Sequence, residues 1–246
     1  MARSLDAAPQ IYARTAGALY LVIIVFGLLG ELVVRAGIIV PDDPAMTADR
    51  ILSQANLFRG GFVADSVMVL SDVALAVLLY VLLAPVSRAV ALMAMCFRLA
   101  QAAVLALNLV HYHAALLLLT GQSYAGLLDQ DARHALAALF LDLHGHGYDI
   151  GLLLFGVHCL LLGYLVFRSG YLPRALGGLL MAAAMTYLLG SYTRFLLPEH
   201  VGTVAPIYVV AIVAEVSVCL WLLVRGVDVG TWMATGRAAP VAAEFR

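Results

Sequence analysis

Asp72, Arg98 and Glu215 each fall near the middle of a separate apolar run long enough to cross a bilayer. His158 takes a similar place in a fourth run. An ionised side chain at the bilayer centre costs a few kcal/mol or more, so such groups turn toward one another or toward something they bind. Two acids and one arginine can pair as a lock on helix register. The same set can also do acid–base work: one carboxylic acid gives and takes a proton on a bound molecule while Arg98 keeps the other carboxylate ionised. The expected catalytic residues are therefore Asp72, Glu215 and Arg98.

Spacing places further polar residues around these. A helix rises 1.5 Å per residue, which puts Asp72 about 16 Å from the Gly61 end of its run, and Arg98, Glu215 and His158 about 14 Å from the nearest ends of theirs. The four share one layer. Toward the outer side come Glu31, Asp65, Asn108, His111, His113, Asp149 and Arg194, a set that reads as a funnel opening outward. Asp65 and Asp72, seven apart, share a helix face. Gln101, Asn108 and His111 make a second stripe, and Tyr187, Ser191 and Arg194 a third at i, i+4 and i+7. The expected ligand-binding residues are His158, Asp65, Glu31, Asn108, Asp149, His144, Tyr187, Ser191 and Arg194.

The fourth run contains LDLHGHGYDIG, and Gly145, Gly147 and Gly151 predict a bend there. His144, His146, His111 and His113 could offer nitrogens to a metal. Residues two apart point to different sides of a helix, however, so neither HxH pair chelates on unbroken helix. No metal site and no cofactor are expected. HExxH, GxSxG, a P-loop and an acidic metal-diphosphate cluster are all missing. Cys96, Cys159 and Cys219 are odd in number, lie inside apolar runs and read as small buried hydrophobes.

The elements that must hold these residues are set by composition. Of 246 residues, 64% are hydrophobic and 12% charged, about half the charged share of a soluble domain. A mean hydropathy of +0.99 agrees. The expectation is one all-α transmembrane domain over 1–246, a six-helix bundle with spans near 16–34, 61–84, 89–119, 134–167, 175–197 and 207–224. Pro41, Pro44, Pro85, Pro173, Pro198 and Pro206 sit at the ends of these runs, where a missing N–H does no harm. The loop from Gly37 to Arg59 is the longest on the outer side, and Thr47 to Phe58 predicts a short helix lying on the outer face.

All 14 basic residues are arginine. Arg3, Arg14, Arg88, Arg168, Arg174, Arg225, Arg237 and Arg246 fall on one side of a six-span chain, which predicts both termini in the cytoplasm of a bacterial inner membrane. Net charge is −1 with no basic run, so nucleic acid is not an expected partner; membrane lipids and a hydrophobic small-molecule ligand are.

The segments RTAGALYLVIIVFG, GFVADSVMVLSDVALAVLLYVLLAPV, DIGLLLFGVHCLLLGYLVFRSGYLPRALGGLL and AEVSVCLWLLVRGV resemble, in order, a bacterial integral-membrane family known as domain of unknown function 4386. The likeness runs from about Arg14 to Val227. It implies no activity. It implies a family pattern at the positions held here by Glu31, Arg35, Arg59, Asp65, Asp72, Arg98, Asn108, His144, Asp149, His158 and Glu215. His111, His113 and His146 lie outside that pattern. The residues leave three functions open: a membrane enzyme isomerising or cyclising a lipid-like or isoprenoid substrate, a proton-linked carrier or receptor for a small molecule, and a structural protein with a buried ion-pair lock.

Overall fold

The structure, a computed structural model, describes residues 9–121 and 126–241. Arg3 and Arg246, which entered the orientation argument, lie outside them. Six helices are long and apolar enough to cross a bilayer: α1 (Pro9–Ile38), α3 (Ala55–Leu83), α4 (Arg88–Thr120), α5 (Gln130–Ser169), α6 (Arg174–Leu196) and α7 (Tyr208–Val224), the last preceded by short helical turns from Pro198. Two more helices do not span, α2 (Pro44–Ser53) and α8 (Val229–Val241). No strand occurs among the described residues. The chain is a helical integral membrane protein.

Each predicted span is present, and three of them, α1, α4 and α5, run past the predicted bounds at both ends. Helices outlast the hydrophobic stretch because a backbone that is already hydrogen-bonded continues until a cap or a proline stops it. The short outer helix is α2, and it covers less chain than predicted. Asp43 caps it, accepting from Met46 N at 2.9 Å, and Pro44 fills its first turn. Ala55 to Phe58 belong instead to α3. Part of the apolar surface of α2 is buried: Ala48 and Ile51 join a core with Val34, Ile38, Phe58, Tyr112 and Ala115, while Met46 and Leu52 stay exposed. A membrane surface is therefore not what the buried part covers.

The glycines of the fourth span do not break its helix. α5 runs unbroken for 40 residues. Its glycines make room rather than hinges. Gly147 lies against the Asn108 carboxamide, where a Cβ would collide.

The described residues form two compact units. The first unit comprises the described parts of Met1–Leu21, Ser71–Gln101 and Gly151–Arg246; the second comprises Val22–Leu70 and Ala102–Ile150. In the first, α5 and α6 touch backbone to backbone. A Cβ on Gly177 would lie 2.6 Å from Gly163 O and from Phe167 N. The end of α3 is closed by side chains: the Leu82 carbonyl, lacking an intrahelical partner at a helix end, accepts from Tyr171 Oη at 2.7 Å and Trp232 Nε1 at 2.9 Å. Gln10 ties α1 to the turn after α7, donating to Arg225 O at 2.8 Å and accepting from Val227 N at 3.1 Å. In the second unit, the Phe58 and Tyr112 rings stack 4.0 Å apart and Tyr112 Oη donates to Phe58 O at 2.8 Å.

Candidate functional site: a buried polar layer

In the first unit, α3 brings Asp72, α4 brings Arg98 and Gln101, and α5 brings His158 to one point. Arg98 is fully buried and donates from one Nη to Asp72 Oδ1. Its other Nη lies 3.1 Å from His158 Nε2. His158 Nδ1 lies 2.8 Å from the Ala94 carbonyl. A carbonyl only accepts and a guanidinium only donates. His158 must therefore carry its proton on Nδ1 and offer a lone pair at Nε2, which makes it a neutral ring. His158 therefore adds no positive charge to the layer, because Arg98 already occupies the nitrogen that a second proton would need. Gln101 Nε2 approaches Asp72 Oδ2 at 3.4 Å.

Aromatic rings wrap this pair. The Arg98 guanidinium carbon lies 5.4 Å from the Tyr20 ring centre and 5.1 Å from that of Phe155. Such contacts with a desolvated cation are each worth about 1–2 kcal/mol. Phe155 also stacks on His158 at 5.6 Å and meets Tyr187 edge-on at 5.2 Å. Tyr187 Oη in turn donates to Glu215 Oε1. Glu215 thus takes its hydrogen bond from Tyr187, while Arg98 takes Asp72 as its carboxylate. Asp72, Arg98, His158 and Tyr187 are buried, whereas Glu215 is only half-buried. Ser191, one turn from Tyr187, is fully buried and its hydroxyl has no hydrogen-bond partner, as is also true of Arg98 Nε and Gln101 Oε1.

A family described as a domain of unknown function (DUF4386) matches residues 15–226. The chain belongs to this family. An uncharacterised protein of Archaeoglobus fulgidus is 30% identical over 159 residues, covering 65% of this chain and 79% of its own. No solved structure matches. Membership of DUF4386 brings no reaction, so the site has to be argued from its geometry.

The second unit of this DUF4386 chain holds another polar group. Arg35 donates from Nε to Glu31 Oε2 at 2.7 Å and from an Nη to Asp65 Oδ2 at 2.6 Å. Asn108 Nδ2 donates to His144 O at 2.7 Å, and His144 Nδ1 lies 3.2 Å from Asn108 O. Both buried Arg–Asp pairs thus draw their acids from α3, at Asp65 and Asp72. Asp149 and Arg194 are half-buried, the first in this unit and the second in the other. Among the described residues no three His, Cys, Asp or Glu side chains gather as a metal site.

Arg35 was outside the candidate set derived from spacing, because the apolar run ends at Val34. The resemblance named its position. A local signal was available as well: Glu31 and Arg35 are four apart, the spacing of a helical ion pair. Tyr20 and Phe155 were missed for a different reason. An aromatic residue in an apolar helix looks the same whether it faces lipid or a guanidinium.

Proposed function

We propose that this protein is a membrane enzyme whose acid–base group is Glu215, with Tyr187 as its hydrogen-bonded partner, acting on a lipid-like or isoprenoid molecule. The observation that carries this is accessibility. In a layer of otherwise buried polar residues, Glu215 is only half-buried in the middle of a span. A carboxyl there is costly unless it is used. Asp72, Arg98 and His158 form the rigid backing that holds Phe155 against Tyr187. Ser191, with its free buried hydroxyl, supplies a hydrogen bond to a polar group of the substrate.

The chemistry is a proton exchange. The Glu215 carboxylic acid gives its proton to one carbon of a double bond, and the resulting carboxylate removes a proton from a neighbouring carbon. The double bond moves, the acid is restored, and no reductant, oxidant or second substrate is consumed. A sealed Arg98–Asp72 pair favours the purely structural reading for those two residues, and that reading is compatible with a reactive Glu215. We place the chain in a bacterial plasma membrane with both termini cytoplasmic, from its arginine distribution.

The test needs no known substrate. Dicyclohexylcarbodiimide, an apolar reagent that couples to protonated carboxyl groups, is added to membranes and the labelled residue is found by mass spectrometry. Glu215 should label and Asp72 should not. In parallel, lipid extracts from cells making wild type or Glu215→Gln are compared. A pair of isomeric lipids whose ratio shifts only with wild type supports the enzyme. An unlabelled Glu215 and identical extracts would refute it.

A further inference from the structure

The second unit contains a group of charges that the proposed reaction does not use. It lies on an unusual backbone: Leu29–Arg35 within α1 is a π-helix, a rare form concentrated at functional sites. This segment presents Gly30, Glu31 and Arg35. Two carboxylates, Glu31 and Asp65, face one guanidinium. Asp65 is buried and the Glu31 side chain is largely exposed. The group therefore carries one negative charge more than Arg35 balances, with Asp65 as its buried partner and Glu31 as the exposed one.

The hydrogen-bond census is also short, and on one side only. Asp65 Oδ1 is buried with no partner. His144, also buried, has its Nδ1 on the Asn108 carbonyl, so in the neutral ring Nε2 is an acceptor, and it too has no partner. Both gaps need a donor. His144 lies within electrostatic reach of Arg35, Asp65 and Glu31. Gly30 lets Asp65 approach α1 closely: a Cβ there would lie 2.8 Å from Oδ1. Aromatic faces line the group, with Tyr148 6.0 Å from the Arg35 guanidinium carbon and the Tyr112 ring 5.3 Å from that of His144.

We propose that this group is a binding site for a protonated primary amine. A water would fill the two acceptors and leave the charge unbalanced. A metal ion would need more ligands than the described residues bring together. An ammonium supplies one positive charge and several directed N–H donors at once. The amine can belong to a lipid headgroup or to a free solute, since the N–H chemistry is the same.

The experiment uses the purified full chain. In detergent, ethanolamine hydrochloride is titrated against tetramethylammonium chloride and sodium chloride at equal ionic strength, with thermal stability as the readout. Ethanolamine alone should raise Tm in a saturable way, because a quaternary ammonium has no N–H to give. Asp65→Asn should weaken the response at least about tenfold, the value of one charge-assisted hydrogen bond. If that variant does not fold, Glu31→Gln serves instead: its side chain is exposed, Arg35 keeps Asp65, and the response should still weaken measurably. In nanodiscs, wild type but not Glu31→Gln should be more stable in phosphatidylethanolamine than in phosphatidylcholine if the amine comes from lipid; equal stability in the two with a retained ethanolamine response assigns it to a solute. Equal responses to all three salts, or a response that both variants retain in full, would overturn the proposal.

Discussion

Asp72→Asn and Arg98→Met should each be severely destabilising alone, and the double variant less so than Arg98→Met. Arg98 is fully buried and Asp72 is 3% exposed, so neither charge can fall back on water. Removing one partner of a buried pair strands the other, at about 3–5 kcal/mol. Asp72→Asn keeps a carbonyl for the Arg98 Nη group but withdraws the charge. Arg98→Met does more damage. It leaves Asp72 with only the long contact from Gln101, and it takes the donor from His158 Nε2, adding about 1–3 kcal/mol for a buried unsatisfied acceptor. In the double variant no buried charge remains in the pair. The His158 loss and the lost guanidinium contacts with the Tyr20 and Phe155 rings persist, so the double should remain below wild type but recover about 3–5 kcal/mol relative to Arg98→Met. For a chain of this size 1 kcal/mol moves Tm by about 2–4 °C, which puts Asp72→Asn roughly 6–20 °C below wild type.

The assay is tryptophan-fluorescence melting in detergent, with size-exclusion profiles to exclude aggregation. Glu215→Gln is the control. The amide oxygen still accepts from Tyr187, so its cost should be about 1 kcal/mol or less. An Asp72→Asn melt within about 3 °C of wild type, or a double no more stable than Arg98→Met, would show that the pair is hydrated or already broken in the membrane protein, and the account of a sealed layer would fail.

Three further outcomes follow from the fold. Gly177→Ala should lower stability by about 1–3 kcal/mol, because its Cβ would collide with Gly163 O and Phe167 N, whereas the adjacent Gly178→Ala meets nothing within 4 Å and should be neutral or better; equal melts would contradict the close contact of α5 and α6. At Asp228, the Thr231 side chain and N–H both donate to the carboxylate and hold its pKa below the usual range. That cap is therefore fully present above the ordinary Asp pKa and is lost as pH falls through the lower folded value, so proteolysis within α8 should accelerate on acidification in wild type and be pH-independent in Asp228→Ala. A C-terminal fusion to a reporter active only in the cytoplasm should give signal, and activity of a periplasmic reporter at that end would reverse the orientation.

The membrane class, the six helices and the residues of the polar layer were readable from sequence because each rests on a strong local signal. A run of about 20 apolar residues is hard to mistake, and a charge in its middle stands out against it. What could not be read was partnership. Arg98 could have paired with Glu215 or Asp72, since both lie at the same estimated depth; helix rotation decides, and periodicity is weak in a helix that is apolar on every side. The state of His158 depends on its contact with Ala94 and Arg98 across two helices, which spacing along one chain segment does not give. The glycines of α5 serve close approach within an unbroken helix, as Asn108 at Gly147 demonstrates. Arg35 was hidden by an apolar run that stops one residue before it while the helix continues to Ile38.

Two buried Arg–Asp pairs in one small chain are weak evidence of a purely stabilising role. Replacing such a pair with apolar residues of similar volume is often neutral or favourable, and lipid-facing helices have no shortage of such residues. The two groups also differ in a way that a common structural purpose would not produce. Around Arg98 the pair is complete: one acid for one arginine, a neutral histidine oriented by both neighbours, and aromatic rings on two sides. Around Arg35 the arginine is shared between two acids, one of them exposed, and acceptors are left over. A complete group is what a rigid wall behind a reacting carboxyl requires, because any spare charge there would compete for the Glu215 proton. An incomplete group is what a binding site requires, because the missing charge and donors are what the ligand brings. On the reading proposed above, that asymmetry separates a reacting carboxyl in one unit from a recognition group in the other.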